Sequence, residues 1–148
     1  MDRRRLMISG GLVAGAALWL GWLPSPGGAA ENLTNRHLTA AELQGDPGIL
    51  IVDIRSPGEW HDTGVIQGAL LVTYSDAESF LRQVAPQLAP GQKLALICRS
   101  GNRTSRAARQ IAPLTSHDVI NVSGGMLHVM EQGHSTVRPT VPQKTGAP

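Results

Sequence analysis

Lys93-Leu94-Ala95-Leu96-Ile97-Cys98-Arg99-Ser100-Gly101-Asn102-Arg103-Thr104 is the stretch on which the fold turns. Its first five residues are a short, nearly continuous apolar run. That pattern reads as a strand buried on both faces, as in a parallel sheet. The strand runs directly into Cys98 and a polar turn. Residues 103–112 then read as a helix that stops at Pro113. Strand, tight turn and helix are the repeating unit of an α/β domain.

The same unit recurs on both sides. Ile49-Leu50-Ile51-Val52-Asp53-Ile54 is a second buried strand, and Ser56-Pro57 opens a short helix through Trp60. Residues 69–73 are another apolar run. Residues 77–88 have a helical pattern with Phe80, Leu81, Val84 and Leu88 on one side, weakened in the last turn by Pro86. Val119-Ile120-Asn121-Val122 reads as a strand, and Gly124-Gly125 leads into a last helix over residues 126–132. Upstream, residues 38–43 read as a short helix with Thr39 as its N-cap. The alternation predicts an α/β fold with a mainly parallel central sheet and helices on both faces. In such sheets sites form at the carboxyl ends of the strands, where Cys98 stands.

The 148 residues suggest one domain, predicted over residues 31–134. The first 30 residues read as a leader: Arg3-Arg4-Arg5, an apolar stretch over residues 6–23, then Pro24, Pro26 and small residues up to Ala30. Cleavage is expected after Ala30. Asp2-Arg3-Arg4-Arg5-Leu6-Met7 is similar to a twin-arginine export motif. An uncleaved anchor is the alternative, because eighteen apolar-rich residues just suffice to span a bilayer. Each reading places the domain outside the cytoplasm, in the periplasm, with membrane contact only through an uncleaved leader. Residues 135–148 carry three prolines and no apolar period, and read as a loose tail.

Charge and composition exclude several classes. Beyond residue 30 there are ten Lys/Arg and ten Asp/Glu, so the high isoelectric point does not argue for a nucleic-acid partner. Arg99, Arg103, Arg106 and Arg109 instead fall within eleven residues, next to the lone cysteine. A single cysteine excludes an internal disulfide, a CxxC redox pair and a cysteine-rich zinc site. His37, His61, His117, His128 and His134 show no metal-ligand spacing and read as surface residues. No metal and no cofactor is expected.

A nucleophilic thiolate needs a lowered pKa, which a helix N-terminus and neighbouring arginines supply. It also needs donors for an anionic substrate, and a tight loop can turn successive N–H groups inward. Gly101 and Asn102 tolerate the left-handed backbone of such a curl, while Arg99 and Arg103 add charge. Arg106 and Arg109, three and six residues beyond Arg103, read as a solvated face.

Cys98-Arg99-Ser100-Gly101-Asn102-Arg103 resembles the six-residue active loop of single-domain rhodaneses. Asp53-Ile54-Arg55 with Glu59-Trp60 is similar to that family's Asp-x-Arg segment and its following helix. Residues 63–69 resemble its Gly-x-Ile-x-Gly-Ala turn, and Val122-Ser123-Gly124-Gly125-Met126 its Gly-Gly segment. The four segments occur in the family's order over residues 36–134. The resemblance implies sulfur transfer through a Cys98 persulfide, from thiosulfate or a persulfide to a thiol or cyanide, with residues 99–103 binding the anion. It implies that Asp53 and Arg55 are structural. Two differences touch the acceptor side: Val129 stands near the family's usual tryptophan, and Val65 and Gln67 replace its usual His-containing turn. The alternatives are a sulfur carrier or oxyanion-binding module without turnover, and a cysteine phosphatase. A phosphatase loop places its arginine six residues after the cysteine, where this chain has Thr104.

Overall fold

The computed structural model describes residues 30–139. The predicted leader therefore lies outside the described residues except for Ala30. Five strands, β1 (Leu33–Arg36), β2 (Ile49–Asp53), β3 (Leu70–Leu71), β4 (Lys93–Ile97) and β5 (Val119–Val122), form one sheet in the order β1-β5-β4-β2-β3. Every pairing is parallel. The helices are α1 (Ala40–Gly45), α2 (Pro57–Thr63), α3 (Ala77–Val84), α4 (Asn102–Ile111) and α5 (Gly125–Glu131).

β4 lies between β2 and β5, and its alternation distributes side chains between two cores. Leu94 and Leu96, with Cys98 beyond the strand, pack with Phe80 and Val84 of α3 and Ala107, Ala108 and Ile111 of α4. Ala95 and Ile97 point the other way, onto Leu43 of α1 and Met126 and Val129 of α5. Both faces of the strand are apolar because both are covered by helices. The predicted α/β fold with helices on both faces is what forms.

The differences lie at the margins. β1 was not expected from the sequence: Leu-Thr-Asn-Arg has no alternation, and three of its four residues are exposed. It forms because the edge of β5 offers an unpaired ladder, to which all four residues pair. The expected strand over residues 69–73 shrinks to Leu70–Leu71, and α3 ends at Val84 before a 3₁₀ turn over Ala85–Gln87 that contains Pro86. Proline has no N–H to continue an α-helical ladder. α4 likewise passes into a 3₁₀ turn at Ala112–Leu114. The start of the tail is held: Val137 exchanges backbone hydrogen bonds of 2.9 Å with Val65, and the Thr136 hydroxyl donates to the Thr63 carbonyl at 2.8 Å. Residues 140–148 lie outside the described residues.

Asp53 and Arg55 are structural, as the resemblance implied. The Arg55 Nη2 donates to Asp53 at 2.7 Å and to the Gly64 carbonyl at 2.8 Å, and Nη1 donates to the Thr63 hydroxyl at 2.6 Å. Both charged groups are buried and mutually paired, so each satisfies the other away from water. The pair ties the end of β2 to the end of α2.

Candidate active site

Cys98 follows β4 at its carboxyl end, and the backbone curls at once into α4. Gly101 is the N-cap, with φ +89°, a conformation that glycine adopts without a Cβ penalty. Asn102, expected to share that left-handed curl, is instead the first residue of α4, and no described residue other than glycine has positive φ. The curl turns the Gly101 N–H towards the Cys98 Sγ, 3.2 Å away.

The loop is held from behind by α5. The N–H of Met126 donates to the Cys98 carbonyl at 2.8 Å, and that of Leu127 to the Arg99 carbonyl at 3.0 Å. With these carbonyls turned towards α5, the intervening peptides present their N–H groups to the sulfur side. This approach requires glycines: Gly124 and Gly125 both have positive φ, and a Cβ on Gly125 would stand 2.3 Å from the Cys98 carbonyl oxygen. The Gly-Gly segment is thus a contact surface for the cysteine loop.

Cys98 is 1% exposed. Burial alone would raise its pKa, but donors outweigh burial. The Thr104 side chain, and the backbone N–H groups of Thr104, Ser100 and Gly101, hold the thiol below its ordinary value. Thr104 was not among the expected site residues. Its hydroxyl lies 3.5 Å from the Cys98 Sγ and 3.0 Å from the Gly101 carbonyl. It has one proton, so it can donate to the carbonyl beside a thiol or turn to donate to a thiolate.

Arg103 corrects a second expectation. It was expected to add charge to the loop, but its guanidinium is committed to Glu59: Nη1 donates to Oε2 at 2.8 Å and Nη2 to Oε1. Glu59 also caps α2 through Ser56, and Arg103 is the main cause that holds its carboxyl down at about 2. Glu59 therefore clamps the start of α4 to α2. Among the expected site residues, Cys98 and Gly101 form the interior, and Arg99, Ser100 and Asn102 are exposed on the rim. Arg106 and Arg109 are exposed, as expected of a solvated face. His37 and His61 are exposed, whereas His117, His128 and His134 are half-buried rather than surface residues.

A strand-end cysteine in a six-residue loop is the arrangement that the sequence resemblance implied, and the structure adds the contact by which the Gly-Gly turn backs that loop. The family model of the Rhodanese-like domain matches residues 38–132. The chain belongs to the rhodanese-like family. A rhodanese-related protein from Thermoplasma volcanium is similar to this rhodanese-like chain, at 28% identity and a TM-score of 0.55, over 70% of this chain and 99% of that one. A protein of unknown function from Rhodopseudomonas palustris, described as a possible tyrosine phosphatase, is similar at 25% identity and a TM-score of 0.57, over 68% of this chain and 83% of that one. An uncharacterized protein of Synechocystis sp. is 27% identical over 107 residues, 72% of this chain. The chain spans 57% of the length of that curated relative.

The donor set around this rhodanese-like loop has a measurable consequence. Thr104→Val removes the side-chain donor that helps to lower the Cys98 pKa. The thiolate fraction at a given pH then falls, so the midpoint of the pH profile for iodoacetamide alkylation moves up. At pH 7 the alkylation rate drops several-fold. Thr104→Ser retains the hydroxyl and should leave the midpoint in place. Equal midpoints for the valine variant and the wild type would remove Thr104 from the site.

Proposed function

We propose that this chain is a sulfurtransferase acting in the periplasm after export by its N-terminal segment. It moves a sulfane sulfur from thiosulfate or a persulfide donor to a thiol or cyanide through a persulfide on Cys98. The observation that carries the reading is the loop: one buried thiol at the end of the central strand, ringed by inward N–H groups and a hydroxyl.

The Cys98 thiolate attacks the outer sulfur of thiosulfate. The sulfur–sulfur bond breaks, sulfite leaves with the electron pair, and Cys98 keeps the transferred sulfur as a persulfide. An acceptor thiolate or cyanide then attacks that terminal sulfur, and Cys98 departs as a thiolate. No oxidant enters, because the oxidation level travels with the sulfur. The groups that lower the thiol pKa would serve both thiolate states of the cycle and the charge of the persulfide between them. Arg99, exposed on the rim and in no ion pair among the described residues, would draw the dianion in.

Hydrolysis of a phosphate ester is the competing reading. It needs a cation aimed at the bound oxyanion, and the loop's Arg103 is instead engaged by Glu59. The purified chain should be incubated with thiosulfate, freed of excess donor and weighed intact. A gain of one sulfur atom, released by cyanide as thiocyanate, is expected. Failure to gain sulfur from either thiosulfate or a persulfide, together with hydrolysis of p-nitrophenyl phosphate, would replace this reading by the phosphatase one.

A further inference from the structure

The segments that follow β2 and β3 enclose, together with α4, a groove of about 380 Å³ to which the two half-reactions assign no role. Ile54, Tyr74 and Ala107 supply its apolar lining, and Arg103, Arg106 and Gln110 its polar side. The groove lies on the face of the sheet that holds the thiol, because Ile54 and Ala107 share one core with Cys98, and Tyr74 packs against that core. Its two walls are joined: the Tyr74 hydroxyl donates to the Gln110 Oε1 at 2.6 Å. The slot is therefore formed before an occupant arrives.

The free charge along this groove has one sign. Glu59 neutralises Arg103, and no Asp or Glu lines the groove among the described residues. Asn102, Arg106 and Arg109 follow one another at i, i+4 and i+7, so they form an exposed row on α4 about 10 Å long. Neither Arg106 nor Arg109 forms an ion pair among the described residues. The row begins at the thiol, since Asn102 follows Gly101, whose N–H donates to the Cys98 Sγ. A small anion held in the groove would meet Arg106 and leave Arg109, which lies outside the lining, unused. An occupant that fills the slot with an apolar side chain and continues along α4 with carboxylates meets both cations. Those demands describe a segment of a larger acidic chain.

We propose that α4 and this groove form a docking surface for an acidic protein. The partner places an apolar side chain against Tyr74 and Ala107 and its carboxylates on Arg106 and Arg109, and is thereby seated beside the cysteine loop. Docking requires no sulfur chemistry, so the proposal goes beyond the sulfurtransferase reading and does not rest on it. Exposed charge pairs of this kind guide association and set its salt dependence, while the buried apolar group supplies the anchor.

The probe is the end-blocked peptide Glu-Glu-Phe-Glu-Glu, titrated into the isotope-labelled full chain and followed by amide NMR shifts. Shifts should concentrate at residues 73–74 and 102–110. Its Kd should lie about tenfold below that of Gln-Gln-Phe-Gln-Gln and about fivefold below that of Glu-Glu-Ser-Glu-Glu. Salt at about 0.3 M should remove most of the advantage over the glutamine peptide. Arg106→Gln combined with Arg109→Gln should bring the acidic peptide to the Kd of the glutamine peptide. Arg36→Gln combined with Arg82→Gln removes the same charge at exposed positions of β1 and α3 and should leave that Kd in place. Equal Kd values for the acidic and glutamine peptides, or an equal loss in the Arg36 and Arg82 variant, overturns the proposal. So does benzoate that shifts the same amides with the peptide's affinity, which would make the groove a small-anion site. Sulfur loading, weighed separately on the same chain, decides the transferase reading whichever way the peptide behaves.

Discussion

Cys98→Ser is expected to take up no sulfur from thiosulfate, a loss of about 10³-fold or more. The loop lowers a thiol's pKa with one side-chain hydroxyl and three N–H groups, and those groups suffice because the thiol is already weakly acidic. A serine hydroxyl starts far from ionisation, and no second base stands within hydrogen-bond reach of this sulfur among the described residues. The fold should tolerate the change. The serine oxygen inherits the Gly101 N–H and the Thr104 hydroxyl as partners, so a buried polar atom is not orphaned. Melting within about 1 kcal/mol of the wild type is therefore expected, which separates lost chemistry from lost structure. Since Cys98 is the chain's single cysteine, a serine variant that still gained a cyanide-labile sulfur would remove the thiol mechanism entirely.

What could be read in advance follows the range of the interactions. The β4–loop–α4 unit was legible because its signals are local: an apolar run, a glycine at the curl and a helix behind it. The end of β4 is a site because the parallel sheet opens there, which follows from strand–helix alternation alone. No role in the site was expected of Thr104, although it directly follows the six-residue loop. A threonine inside the first turn of a helix carries no mark of whether it faces the sulfur. Arg103 was assigned to the loop's charge because its partner lies 44 residues earlier in the chain. Ser56 and Glu59 have the spacing of a capping box, which announces the start of α2 but not that the same carboxylate reaches α4. β1 was invisible for another reason: an exposed edge strand of polar residues is defined by the ladder it joins, not by a pattern of its own.

Gly125→Ala should show how much of the site depends on α5. Gly125 has φ +56°, where an alanine is strained, and the added Cβ would lie 2.3 Å from the Cys98 carbonyl oxygen and 2.8 Å from Arg99 backbone atoms. Those neighbours are main chain and cannot rotate aside, so the cysteine loop or the start of α5 has to shift. Either movement breaks the bonds from Met126 and Leu127 to the carbonyls of Cys98 and Arg99. Two backbone hydrogen bonds and a left-handed alanine together amount to about 3 kcal/mol of stability. The larger effect falls on chemistry. When the carbonyls are released, the peptides can rotate and the N–H groups leave the sulfur, and a displacement near 1 Å at a reacting centre costs about 100-fold in rate. Sulfur loading should therefore fall by that factor under conditions where the variant is still folded. Gly58→Ala is the control, at an exposed position of α2 with nothing within 4 Å of the added carbon. It should load normally and melt slightly higher, by about 0.5 kcal/mol, because alanine is the better helix former. If Gly125→Ala loads sulfur as fast as Gly58→Ala, the donors that hold the thiolate do not depend on α5, and the Gly-Gly segment serves packing alone.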